Sequence, residues 1–84
     1  MTTGVQFTGN LGPNASGSWF THSWPTNWHV IWYMMPTTPK PGAPELNWEV
    51  QVERSSATLC TYFLTIRNLT NVPISFEARY SILN

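Results

Sequence analysis

Hydrophobic and polar residues alternate along three stretches in the second half of the chain. Residues 46–53 and 72–82 each carry an apolar side chain at every second position. This period places successive side chains on opposite faces of a strand, so each stretch predicts a β-strand with one buried and one solvated face. Residues 57–67 are rich in β-branched and aromatic side chains and predict a third strand. The polar residues 68–71 predict a turn that joins the last two strands as a hairpin.

The first half of the chain predicts three further strands, at residues 5–8, 18–23 and 28–35, with a loop at residues 9–17. Residues 28–35 are apolar on both faces, which is typical of a strand at the centre of a sandwich or of one covered by a neighbouring subunit. Residues 36–44 contain four prolines and predict an extended crossover. On the strand at residues 46–53 we expect four side chains to point into the core: Leu46, Trp48, Val50 and Val52.

Six short strands without a helical period predict one all-β domain over residues 1–84. We expect an antiparallel β-sandwich of immunoglobulin-like type, with a small barrel as the alternative. Cys60 is the only cysteine, which excludes an intrachain disulfide, and its place on an apolar strand face predicts that it is buried. A small core and a net charge of zero favour self-association, so we predict a homo-oligomer.

Charge and motif content argue against several classes of function. A net charge of zero argues against a nucleic-acid partner, and no apolar run is long enough to predict membrane insertion. No signal-peptide pattern is visible, and the compartment stays undetermined. Neither a nucleophile with its base nor a paired-carboxylate motif is present, so we expect a protein that is not an enzyme and has no metal or cofactor. Asn14 and Asn68 each begin a triplet that matches the N-glycosylation pattern, a match that is frequent by chance in a chain rich in Asn and Thr.

Residues 19–35 contain four of the five tryptophans and both histidines. If the strands flanking residues 24–27 pair as a hairpin, His22 lies opposite His29 and Trp19 lies opposite Trp32. Trp24 precedes Pro25 in the turn of this hairpin and is expected to be exposed.

An indole beside amide and imidazole groups is typical of a sugar site, because pyranose C–H groups stack on aromatic rings while hydroxyls bond to polar side chains. We therefore predict a lectin-like carbohydrate-binding protein that is multivalent through oligomerisation. The predicted ligand-binding residues are Trp24, Asn27, Trp28, His22 and His29. The alternative is a structural self-assembling protein whose Trp-rich strand is a subunit interface. A third hypothesis is an accessory domain that docks a partner protein through the same patch.

Overall fold

The computed structural model describes residues 1–84 and contains six β-strands and no helix. No segment therefore has the helical length and hydropathy that a membrane-spanning helix needs. All six predicted strands are present, and the first two extend well beyond their predicted bounds. The strands are β1 (Thr2–Leu11), β2 (Ser16–Pro25), β3 (Val30–Pro36), β4 (Leu46–Glu53), β5 (Leu59–Asn68) and β6 (Ile74–Ile82).

The strands form two antiparallel sheets of three strands each. We call them the β6 sheet, in the order β1-β6-β3, and the β5 sheet, in the order β2-β5-β4. The two sheets pack face to face and do not close into a barrel, which confirms the predicted β-sandwich. Each sheet is open at both sides, so β1, β2, β3 and β4 are all edge strands.

The strand pairing differs from the sequence prediction at two places. β4 and β5 form the only hairpin between consecutive strands. The predicted hairpin of β5 with β6 is wrong, because the turn after Asn68 carries the chain from one sheet to the other. The predicted hairpin around residues 24–27 is also wrong, since β2 and β3 lie in different sheets and Trp19 pairs with Leu64 rather than Trp32. Alternation predicts the face that a side chain takes and leaves its neighbouring strand undetermined.

The hydrophobic core lies between the sheets and is densest along the two central strands. Leu64 and Ile66 of β5 and Phe76 and Ala78 of β6 are almost completely buried. Cys60 is buried beside them as a free thiol, as predicted. Such central positions are covered on both sides by neighbouring strands, so their burial follows from the alternation alone.

The two apolar faces of β3 have different environments. Trp32 and Met34 point into the core and are buried, whereas Ile31 and Tyr33 are 55% and 48% exposed on the outer face. β3 is an edge strand, so the prediction of a central position is wrong. The outer face of β3 is accessible in the monomer.

Asn68 is completely buried at the end of β5 and organises the turns around it. Its Nδ2 group donates to the carbonyls of Leu11, Gly12 and Val72, at 3.1, 3.0 and 2.7 Å. Its Oδ1 accepts hydrogen bonds from the N–H and O–H groups of Thr70, both at 2.8 Å. A buried amide with every group bonded is structural, so the triplet that begins at Asn68 is not an accessible modification site.

Three connections meet at this end of the sandwich, and each of them crosses between the sheets. Asn68 joins the β1–β2 connection to its own β5–β6 connection through its side chain, and its backbone N–H donates to the Ala15 carbonyl at 2.9 Å. The adjacent N–H of Leu69 donates to the Glu45 carbonyl at 2.8 Å, which adds the β3–β4 connection. We call this end of the molecule the Asn68 end.

Candidate functional site

Trp24 lies at the centre of an aromatic cluster that joins the two sheets at the opposite end of the sandwich. Its ring makes edge-to-face contacts with Trp32, Tyr62 and Tyr80, at centroid distances of 5.4, 6.0 and 5.3 Å. Edge-to-face geometry is favourable because the positive edge of one ring meets the negative face of another. The indole Nε1 donates to Oγ1 of Thr21 at 3.0 Å, so the one polar group of this side chain is bonded as well.

The predicted exposure of Trp24 is wrong, since the side chain is only 8% exposed. The cause is an irregularity in β2, where the register with β5 shifts between Thr21 and Trp24. Ser23 has a φ of 65°, in the left-handed region, and the additional residue resets the alternation of the strand. Thr21 and Trp24 therefore both point inward although they are three residues apart. Trp24 supports the site from below and offers no ring face to a ligand.

Trp28 is the exposed member of the same cluster. Its ring packs edge-on against Trp24 at 6.1 Å, and 40% of its surface remains accessible. It lies in the connection between β2 and β3, residues 26–29, which we call the Trp28 loop. The N–H of Trp28 donates to the Pro25 carbonyl at 3.2 Å, and the N–H of Thr26 donates to the Thr58 carbonyl at 3.0 Å. The loop is therefore held in place by backbone bonds on the β2 side.

The C-terminal residues hold the Trp28 loop from the β3 side. Oδ1 of Asn84 accepts the backbone N–H of His29 at 2.9 Å, and Nδ2 of Asn84 donates to the Asn27 carbonyl at 3.2 Å. The N–H of Leu83 donates to the carbonyl of His29 at 2.8 Å. Sequence analysis missed Asn84, because its position beside the loop depends on the pairing of β3 with β6, which joins Val30 to Ile82.

Two polar side chains flank Trp28 without any hydrogen bond inside the protein. The Asn27 amide and the His29 imidazole are both exposed, and only the backbone groups of these residues are bonded. An amide supplies two donors and an acceptor, and a neutral imidazole supplies one of each. The loop therefore presents an indole beside unengaged donors and acceptors.

A depression of about 260 Å³ adjoins the Trp28 loop through Thr26, and its other lining residues are Val52, Arg54, Cys60 and Tyr62. Nη2 of Arg54 donates to the Ala57 carbonyl at 2.9 Å, which fixes the guanidinium at the rim. Burial raises the pKa of Tyr62 to about 12, and the neighbouring Cys60 thiol adds to the shift. The Tyr62 hydroxyl is neutral near neutral pH, as an ordinary phenol is, and is able to donate a hydrogen bond.

His22 lies away from the Trp28 loop, so the predicted pairing of the two histidines is wrong. It projects from the outer face of the β5 sheet, with its ring 6.3 Å from Phe20 and its Nδ1 2.9 Å from Oγ of Ser23. A shallow groove of about 590 Å³ contains His22 together with Gln6, Phe7, Trp19, Phe20 and Thr21. Of the five predicted site residues, the structure places Asn27, Trp28 and His29 together on the loop, with Trp24 beneath them.

No group of three or more side chains suited to a metal ion is present. Comparisons of the chain with protein-family models, with curated proteins and with solved structures found no significant match. The geometry of the Trp28 loop is therefore the basis for a functional assignment.

Proposed function

We propose that this protein is a non-enzymatic carbohydrate-binding module that binds sugar at the Trp28 loop. The observation that carries the proposal is the position of Trp28, which is 40% exposed between two polar side chains that have no partner within the protein. In this proposal Trp28 supplies the stacking surface, while Asn27 and His29 bond to the sugar hydroxyls.

The construction of the loop favours binding because the platform is rigid before the ligand arrives. Trp28 packs on Trp24, and Asn84 bonds to the backbone on both sides of Trp28. A ligand that meets an ordered loop pays little additional conformational entropy, which matters for a shallow site of weak intrinsic affinity. The net charge of zero also suits an uncharged ligand.

The test is a glycan array followed by calorimetric titration with the best sugar. We expect Trp28→Ala to weaken binding by about tenfold or more, because it removes the stacking surface. Trp28→Phe keeps a smaller ring and should retain part of the affinity. Asn27→Ala and His29→Ala should each cause a smaller loss, since each removes one set of hydrogen bonds.

The matched control is Phe20→Ala, which removes an exposed aromatic ring, 66% accessible, from the outer face of the β5 sheet. It should leave sugar affinity unchanged. Equal losses in Trp28→Ala and Phe20→Ala would indicate nonspecific adhesion to aromatic surface. The absence of any glycan ligand at millimolar concentration would contradict the proposal.

A structural self-assembling protein remains the second candidate, and one observation favours it. Ile31 and Tyr33 are both about half exposed on the outer face of the Trp-rich strand β3, and apolar side chains of this size at one edge are typical of a subunit interface. On this hypothesis Ile31→Lys should dissociate the assembly, which light scattering would detect. An assembly of unchanged mass would contradict it.

A further inference from the structure

β4 is an uninterrupted edge strand. It runs from Leu46 to Glu53 without a proline, a glycine or a register shift. The other edges are interrupted: β1 has a register shift after Val5, β2 has one after Thr21 and ends at Pro25, and β3 is the shortest strand and ends at Pro36. Natural proteins use such interruptions to prevent pairing between open edges. β4 lacks all of them.

The backbone groups on the open side of β4 have no partner in the monomer. The N–H of Leu69 donates to the Glu45 carbonyl, which extends the β4–β5 ladder and shows that odd-numbered positions bond to β5. In an antiparallel ladder these positions recur every second residue, so the groups of Trp48, Val50 and Val52 face outward. None of the backbone bonds outside the ladders involves these three residues.

The inward face of β4 is also incompletely covered. Val50 and Val52 point toward the space between the sheets but are 41% and 64% exposed, so their predicted burial is wrong. β3, the edge strand of the opposite sheet, makes only a sparse contact with β4, and this contact includes the ring pair of Tyr33 and Trp48, whose centroids lie 5.3 Å apart. Two valines are thus left accessible on an edge that has free backbone groups.

We propose that β4 pairs antiparallel with β4 of a second copy of this chain, about a two-fold axis at Val50. The pairing satisfies the open backbone groups and places Trp48 beside Val52 of the second copy, which covers the exposed valine. The β5 sheets of the two copies then form one continuous six-stranded sheet. Its strand order is β2-β5-β4 in one copy, followed by β4-β5-β2 in the other.

The charges of the glutamates on β4 favour this register over the registers with the two-fold axis one residue to either side. A two-fold axis at Glu49 would place Glu49 opposite its own copy, and an axis at Gln51 would place Glu49 opposite Glu53. The axis at Val50 places Glu49 opposite Gln51 and Glu53 opposite Asn47, so that each carboxylate faces an amide. Like charges directly opposite one another destabilise a strand pair, whereas a carboxylate and an amide can form a hydrogen bond.

Cysteine cross-linking tests both the edge and the register. In the proposed pair the two copies of residue 50 exchange backbone bonds, with Cα atoms about 5.5 Å apart, a separation that a disulfide spans. The two copies of residue 52 lie about 13 Å apart along the strands and cannot be bridged. We therefore expect Val50→Cys to form a covalent dimer with a mild oxidant such as diamide, while Val52→Cys and the wild type, with its buried Cys60, do not.

A charge change at Gln51 tests the same register without a cross-link. Gln51→Glu places two carboxylate pairs across the interface and should raise the dimer dissociation constant about tenfold, whereas Gln51→Lys should lower it. Phe20→Lys, on the exposed outer face of β2 at the far side of the same sheet, is the matched control and should leave the constant unchanged. Sedimentation equilibrium without any sugar measures the dimer, so this result is independent of the carbohydrate proposal.

Three outcomes would overturn the inference. The first is a wild-type protein that remains monomeric at about millimolar concentration, where even a weak specific pair with a free energy of about 4 kcal/mol is half formed. The second is cross-linking of Val52→Cys at the rate of Val50→Cys, which would indicate random collision or another register. The third is a shift of the dissociation constant in the same direction by both Gln51 variants.

Discussion

At the Asn68 end of the sandwich one buried amide joins the chain connections, whereas at the opposite end Trp24 and the four aromatic residues around it join the sheets. The Asn68 end depends on short directional hydrogen bonds from one side chain to carbonyls of two chain connections. The aromatic end depends on many ring contacts, each of which is individually weak.

The difference explains why a ligand site is expected at the aromatic end. All the polar groups of the Asn68 side chain are bonded, so this residue has nothing left for a ligand. At the aromatic end the exposed side chains of Asn27 and His29 make no hydrogen bond within the protein. The loop that carries them is held by the ring of Trp28 and by its backbone hydrogen bonds, so these two side chains remain available.

The largest effect is expected from truncation of the aromatic cluster at its centre. Trp24→Ala removes contacts with both sheets and the bond to Thr21, and should reduce the free energy of unfolding by about 3 to 5 kcal/mol. Urea denaturation measures this change. A loss below about 1 kcal/mol would show that the cluster repacks and that the aromatic end does not depend on Trp24.

Replacement of the single amide is the corresponding test of the Asn68 end. Asn68→Asp keeps the shape of the side chain but removes both N–H donors from one buried and two partly buried carbonyls, and should cost about 2 to 4 kcal/mol. Asn71→Asp, at an exposed position of the same turn, is the control and should change stability by less than about 0.5 kcal/mol. Similar values for the two variants would contradict the role assigned to Asn68.

High pH should weaken the aromatic end through Tyr62. The pKa of Tyr62 is raised to about 12 in the folded protein, so the unfolded chain loses this proton first, near its ordinary value of about 10. The contribution of Tyr62 is therefore fully present below pH 10 and is lost as the pH rises toward 12, by up to about 2 kcal/mol. Denaturation at several pH values should show this loss in the wild type and a smaller one in Tyr62→Phe. Equal pH dependence in the two proteins would contradict the shift.

The smallest effect on stability is expected at the exposed member of the cluster. Trp28→Ala removes one ring contact with Trp24 from a side chain that is already 40% accessible, and should cost about 1 kcal/mol. Its midpoint in urea should stay close to that of the wild type while sugar affinity falls. A loss as large as that of Trp24→Ala would mean that Trp28 is a core residue rather than a binding platform.

The sequence pattern predicted all six strands and the burial of Cys60, because a central strand has neighbours on both sides wherever it lies. It failed for Trp24, since nothing in the local pattern marks the extra residue at Ser23. It failed for Val50 because burial of an edge strand depends on how far the opposite sheet extends.

The contacts of the candidate site were predicted only in part. The loop composition identified Asn27, Trp28 and His29, which are neighbours in sequence and stay together in any fold. Asn84 lies 55 residues from His29 and is brought to it by strand pairing. Two of the partners of Asn68, Leu11 and Gly12, are 57 and 56 residues away for the same reason. Contacts between residues so far apart in sequence depend on which strands pair with each other, and the pattern of strands along the chain does not determine that pairing.

Nearly every connection leads from one sheet to the other, and this topology affects how the chain folds. The β4–β5 hairpin is the only pairing of consecutive strands, so the other three pairings must bring together segments that are far apart in sequence. The entropy of closing those long loops is lost before their contacts form, which predicts slow folding on a scale of milliseconds to seconds. The hairpin can form first, with the open side of β4 exposed while the remaining strands assemble, so that rapid refolding at high protein concentration is expected to favour aggregation through that edge.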